Sequence, residues 1–336
     1  MKLFSFTAVA GALALSFPTL QDGEAPALPE GQMGAGEHIY QWTEGWGELP
    51  NGVELGNTHG CIVVDSKGRV YFNTDTKNAV CIFSADGEFI DAWGGRELEG
   101  GVHGMTIVEE AGEEFLYLAH TGRHEILKVT LEGEIVWKKG YPEESRKYQK
   151  KEHYNPTSIA FAPDGRFFVA DGYGQNYIHQ YDADGNWVKT FGGPGSKPGQ
   201  MRTPHGIWVN TRGSEPLLVV ADRENRRLQW FDLEGEFQSE VREGIGRACN
   251  IHQRGDHLVI ADLLGKVTIL DGENNVVCHL GQQPDRKKAA RNNIPKEQWK
   301  AGEFISAHAA RWDEAGNLYV MDWVAQGRVT KLQPVD

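Results

Sequence analysis

Cysteine is scarce in this chain. There are four among 336 residues, and no two stand in the C-x-x-C spacing of a zinc ribbon or a dithiol redox site. Basic residues are in deficit, 34 Lys and Arg against 47 Asp and Glu, for a net charge of -13. That balance excludes nucleic acid and anionic membrane as bulk partners, although it leaves room for a local basic pocket. Beyond residue 17 no apolar run is long enough to span a bilayer. The one apolar stretch, residues 3–17, follows the single positive charge of Met1-Lys2 and is too short for a comfortable span. It reads as a secretory signal peptide over residues 1–20, followed by a polar, proline-containing disordered leader over 21–37. Export to a periplasmic or extracellular space is therefore expected. No small-x-small triplet marks a cleavage point, and no cysteine follows the run to carry a lipid.

What is present is a repeat. Six units each open with a short apolar strand and a polar turn. A second strand then ends in V-A-D or a variant, and a third ends in an acidic-glycine turn. The second strands are VYFNT (70–74), LYLAH (116–120), FFVAD (167–171), LVVAD (218–222), LVIAD (258–262) and LYVMD (318–322). Turns such as Asp86-Gly87, Glu132-Gly133, Asp184-Gly185 and Glu234-Gly235 suit hairpins in which glycine takes a positive φ. Short strands rich in Val, Ile, Tyr, Phe and Trp mean an all-β fold. Four strands per unit at this period mean a six-bladed β-propeller over residues 38–336. The sixth unit stops after its third strand, and HIYQWTEGWG (38–47) is placed to supply the fourth. Two charged inserts, residues 141–154 and 281–305, are expected on one face as lids or rims.

The repeat also places the cysteines. Cys61 and Cys249 fall on first strands, Cys81 on a third and Cys278 on a fourth. Non-adjacent strands of one sheet lie roughly 9.6 Å apart, too far for a disulfide, so buried free thiols are expected.

Aligning the units puts His59, His103, Thr157, His205, Cys249 and His308 at the start of the first strands, facing the channel axis. Alternate units give His103, His205 and His308, about 120° apart in a six-fold ring, with His59, Thr157 and Cys249 on the other triangle. Three neutral imidazoles with an open position suit Zn²⁺ as Lewis acid or water activator, and Ni, Co, Cu or Fe are compatible with the same donors. The competing reading is a set of histidines that merely hydrogen-bond the channel wall. The recurrent aspartates at the ends of the second strands are expected to tie down their own turns. The residues just after them, Tyr173 and Arg223, vary more, and offer a base and a carboxylate anchor beside the metal.

The segments VADGYGQNYIHQYDADGNWVKTFG, GQMRTPHGIWVN and VVADRENRRLQWFD, in that order, resemble NHL-repeat propellers. Within that family they are most similar to the peptidyl-α-hydroxyglycine α-amidating lyase domain. The resemblance implies a channel zinc on His103, His205 and His308, a catalytic tyrosine at Tyr173 and an active-site arginine at Arg223. It implies a lyase that splits a peptide's C-terminal hydroxyglycine, a carbinolamide, into an amide and glyoxylate. The chain departs from that pattern at three places. Thr74 stands where the family has a second arginine, Ala309 where it has an aspartate that helps hold a structural calcium, and Gly174 where it has a disulfide cysteine. The partner monooxygenase domain is absent from this sequence, so the resemblance implies a separate enzyme making the hydroxyglycine, or a different small substrate. A second function class also fits an exported NHL propeller, a protein- or glycan-binding platform without chemistry. A calcium-dependent lactonase-like hydrolase ranks last, because the ring offers mostly nitrogen donors. The sequence leaves open whether His59 or His120 joins the site.

Overall fold

A computed structural model describes residues 28–335. The expected signal peptide and the first part of the leader, residues 21–27, lie outside these residues. Strand-forming residues dominate each repeat, and six antiparallel sheets result. Blades one to five each have four strands, in simple up-and-down order. Inner strands are buried on both faces, as in Phe167–Ala170. Outermost strands such as Phe89–Trp93 are only partly covered. Gly87, Gly133, Gly185 and Gly235 have φ between +79° and +92°, as the hairpin turns require.

The apolar side chains pack between neighbouring blades. Tyr71 and Val80 of blade one meet Leu116 and Leu127 of blade two, and Phe168 of blade three packs in one cluster with Leu218 and Phe231 of blade four. Each blade therefore buries its faces only against its neighbours, and the ring must close. Blade six does so with Ala307–Trp312, Leu318–Asp322 and Arg328–Pro334, to which His38–Thr43 adds antiparallel, Trp42 opposite Leu332. The closing strand is thus the one expected. Residues 32–35, expected in a disordered leader, instead form a fifth strand, Gln32–Ala35, paired with His38–Thr43. Pairing satisfies backbone groups that an open edge would leave exposed.

All four cysteines are buried free thiols. Burial pushes Cys61 up to about 11 and Cys249 up to about 12, which keeps them protonated and unreactive. No helix among the described residues is long and apolar enough to cross a membrane.

Candidate metal centre

The aspartates that end the second strands hold the backbone of the incoming loop. Asp171 accepts from Asn155 N and Gln175 N, both at 2.6 Å. Asp262 accepts from Gly246 N and Arg247 N, both at 2.8 Å, and Asp322 from Ile305 N and Ser306 N at 2.8 and 2.7 Å. They are locks on the loop that leads into the first strand of their own blade. Both inserts lie on this same face, as expected. Tyr148 of the first donates to Asp171 at 2.8 Å, and Arg291 of the second bonds Ser306.

Just beyond each lock the first strand enters the channel. His103 falls in a register break, with Val102 opposite His120 and Gly104 opposite Ala119. His308 sits in the same kind of break, between Ala307 and Ala309, and His205 lies within the longer break between Pro204 and Ile207. A bulge of this kind re-aims one side chain, here toward the axis. Each imidazole is then fixed by the next blade. His103 Nδ1 lies 2.8 Å from Thr157 O, His205 Nδ1 2.7 Å from Cys249 O, and His308 Nδ1 2.8 Å from Gly60 O. A carbonyl only accepts, so Nδ1 carries the proton and Nε2 keeps its lone pair. At His103 and His205 the glycine that follows permits this approach. A Cβ on Gly104 would stand 2.5 Å from Thr157 O, the very acceptor that His103 uses.

The three rings are buried, with centroids 4.7 to 5.2 Å apart. The Nε2 atoms of His103 and His308 have no hydrogen-bond partner. Burial holds all three well below the ordinary histidine value, so they stay neutral at physiological pH. Buried lone pairs without donors are costly alone and become useful as ligands, so the donor set fits a borderline-soft divalent metal.

His59 also belongs to the cluster, and all four histidines place a ring nitrogen within 4.8 Å of the others. Its expected place on the second triangle needs correction. Ile62 pairs with Phe72, so the residue of blade one matching Thr157 and Cys249 is Gly60, whose carbonyl makes the matching bond. His59 is one residue earlier, and its ring lies 4.8 Å from His103 and 4.7 Å from His308, beside Trp323. Burial, reinforced by Arg223, lowers it to about 4. His120 stays out of the cluster, its Nδ1 accepting from Arg123 N at 3.3 Å.

Tyr173 and Arg223 are brought to the same place. Tyr173 Oη lies 2.9 Å from His205 Nε2, 3.1 Å from His59 Nε2 and 3.2 Å from Arg223 Nη1. Burial pushes the phenol up to about 12, with Arg223 pulling the other way. Glu224 accepts from both Arg223 and Arg247, the latter at 2.5 Å, so Arg247 stands beside Arg223. Arg247, Glu224 and Trp323 were not picked out from sequence. Each sits within two residues of a lock or ring residue, which is the signal that marks them.

The three departures have local reasons. Thr74 Oγ1 closes its own turn by donating to Asn78 O at 2.9 Å. Ala309 packs among Phe72, Tyr319 and Met321, a setting without room for a carboxylate. Gly174 lies where a Cβ would collide with the Asp171 carboxylate and His153 O.

A six-bladed propeller with a histidine cluster in its channel is the class that fold and site define. Comparison gives the relation: the chain has distant homology to peptidyl-α-hydroxyglycine α-amidating lyases. It is 32% identical over 151 residues to peptidyl-glycine α-amidating monooxygenase B of Xenopus laevis, covering 42% of this chain and 16% of that protein. It is 30% identical over 205 residues to a Caenorhabditis elegans protein named as a probable peptidyl-α-hydroxyglycine α-amidating lyase, covering 56% of each. The chain thus spans a small part of the first relative and about half of the second. Among solved structures, a catalytically inactive virginiamycin B lyase of Staphylococcus aureus aligns with a TM-score of 0.54 over 86% of this chain and 83% of that one. At 17% identity this likeness concerns the fold alone. No family model matches the chain.

Proposed function

We propose that the protein is a metal-dependent lyase of the peptidyl-α-hydroxyglycine amidating type, acting on a carbinolamide that carries a carboxylate. The observation that carries this reading is the meeting of Tyr173 Oη with Arg223 and with the Nε2 face of the buried histidines. His103, His205 and His308 would hold the metal, with Zn²⁺ the first choice for three imidazoles. When bound, the metal supplies positive charge that stabilises oxygen charge at the carbinol and lowers the proton affinity of Tyr173.

The chain's own residues supply the rest. Arg223 pairs with the substrate carboxylate and orients it. Tyr173 takes the proton from the carbinol hydroxyl, the C–N bond breaks with its electron pair leaving on nitrogen, and that nitrogen takes up the proton Tyr173 received, which regenerates the base. The products are an amide and glyoxylate, and no oxidant is needed. The apolar N-terminal stretch supports export, and the substrate would then come from a separate hydroxylating monooxygenase in the same compartment.

Glyoxylate release from α-hydroxyhippurate by metal-loaded protein, lost on chelation and restored by Zn²⁺, tests the reading. A protein that binds no stoichiometric metal and keeps its properties in His103→Ala and His205→Ala is instead a binding platform.

A further inference from the structure

A second cluster of metal-type donors lies outside the channel. Glu37 is in the turn between the two N-terminal strands, His38 begins the ring-closing strand His38–Thr43, and His257 begins the second strand of blade five, His257–Asp262. These two parts of the chain are joined by no strand pairing. Their side chains nevertheless converge: His257 Nε2 is 3.5 Å and His38 Nε2 3.8 Å from the same Glu37 Oε1. All three donor atoms lie within 4.8 Å of one another, and the two rings meet edge to face at 4.3 Å.

Two features distinguish this cluster from an ordinary surface ion pair. The first is the spacing. A hydrogen-bonded pair closes to roughly 2.7–2.9 Å. Ligands on arms of about 2.0–2.1 Å around a tetrahedral zinc stand about 3.3 Å apart, which is nearer the distances here. The second is His38, which is 8% exposed and whose Nε2 is buried with no hydrogen-bond partner. A ring nitrogen taken from water and given no partner is a cost unless something occupies it. The cluster opens into a cavity of about 690 Å³, whose wall also includes Arg254 and Asp256. That space admits an ion and the waters that complete its coordination.

We propose that Glu37, His38 and His257 form a second transition-metal site, of the zinc class, that clamps the ring-closing hairpin to blade five. Two imidazoles and a carboxylate with an open fourth position suit Zn²⁺, with Cu²⁺, Ni²⁺ and Co²⁺ accepted by the same donors. The clamp acts on the joint that the repeat makes weakest. The closing strand reaches blade six from the other end of the chain, and its only neighbours in the sheet are Arg328–Pro334 and the short strand Gln32–Ala35. A metal that ties Glu37 and His38 to His257 resists the opening of that joint, because it binds the closed ring and has no preformed site in the opened chain. The site is independent of the channel chemistry.

The test is a zinc titration of the chelator-stripped full chain against a competing indicator, with melting followed in parallel. Four proteins are compared: wild type, His257→Gln, His103→Ala, and the double variant. Wild type should hold about one equivalent more zinc than His257→Gln. Zinc should raise the melting temperature of His103→Ala, and the double variant should lose that rise. Glu37→Gln, at an exposed residue, gives the same readout should His257→Gln disturb folding. Equal zinc content in wild type, His257→Gln and Glu37→Gln overturns the clamp. Equal zinc content in wild type and His103→Ala overturns the channel metal instead, and leaves the His257 comparison decisive for the clamp.

Discussion

Gly104→Ala tests the link between blade packing and the metal centre. The new Cβ would start 2.5 Å from Thr157 O and 2.8 Å from Ser158 Cα, both backbone atoms with little freedom to move. Van der Waals contact lies near 3.5 Å, so blades two and three must part locally by about 1 Å. The 2.8 Å bond from His103 Nδ1 to Thr157 O then stretches beyond hydrogen-bonding range. Overpacking costs about 1–3 kcal/mol and the lost bond about 1 kcal/mol, so unfolding should become easier by about 2–4 kcal/mol. Loss of the group that orients a metal-binding histidine typically weakens metal affinity 10–100-fold. Competitive zinc titration and urea unfolding of Gly104→Ala measure both effects. Gly140→Ala is the control, since a Cβ there meets nothing within 4 Å and the φ is not positive. Wild-type zinc affinity in a destabilised Gly104→Ala protein would refute the idea that the neighbouring blade's carbonyl sets the ligand.

Three further outcomes follow from the site and its surroundings. Tyr173→Phe should fold and bind zinc but lose about 10²–10⁴-fold in glyoxylate release, the usual contribution of a positioned base; turnover near wild type would remove Tyr173 from that role. Arg223→Gln should raise KM for a carboxylate substrate about ten- to a hundredfold, from the loss of about 1.5–3 kcal/mol of charged hydrogen bonding, and should raise KM for an amide-capped substrate much less. Buried neutral histidines outside the cluster make stability depend on pH. Burial lowers His120 to about 4, and burial with nearby Lys147 lowers His179 to about 3. Their unfolded value is near 6.5, so below it the unfolded chain binds more protons than the folded one. Stability should therefore be full above pH 6.5 and fall toward pH 4, by up to about 1.4 kcal/mol per pH unit for each such histidine. Urea midpoints unchanged between pH 7 and pH 5 would contradict this.

The repeat made most of the fold legible, because each unit carries its own strand and turn chemistry and the sixth visibly lacks a strand. The triangle of His103, His205 and His308 followed from counting. His59 was misassigned for a physical reason. His59-Gly60 looks like His103-Gly104, yet the ladder of blade one is offset by one residue, and only strand pairing reveals that Gly60 is the matching position. The outer strand Gln32–Ala35 was missed because Q-M-G-A carries no strand signal; it pairs only because the hairpin with His38–Thr43 presents an edge. The convergence of His38 with His257 was invisible because no local pattern links residues brought together by ring closure.

The central claim is that the channel histidines hold a catalytic metal. Elemental analysis of protein purified without added metal, side by side with a His103→Ala/His205→Ala variant, tests it most directly. The account predicts that wild type carries about one equivalent more transition metal, with zinc foremost, than the variant. Equal metal content in the two proteins would contradict it.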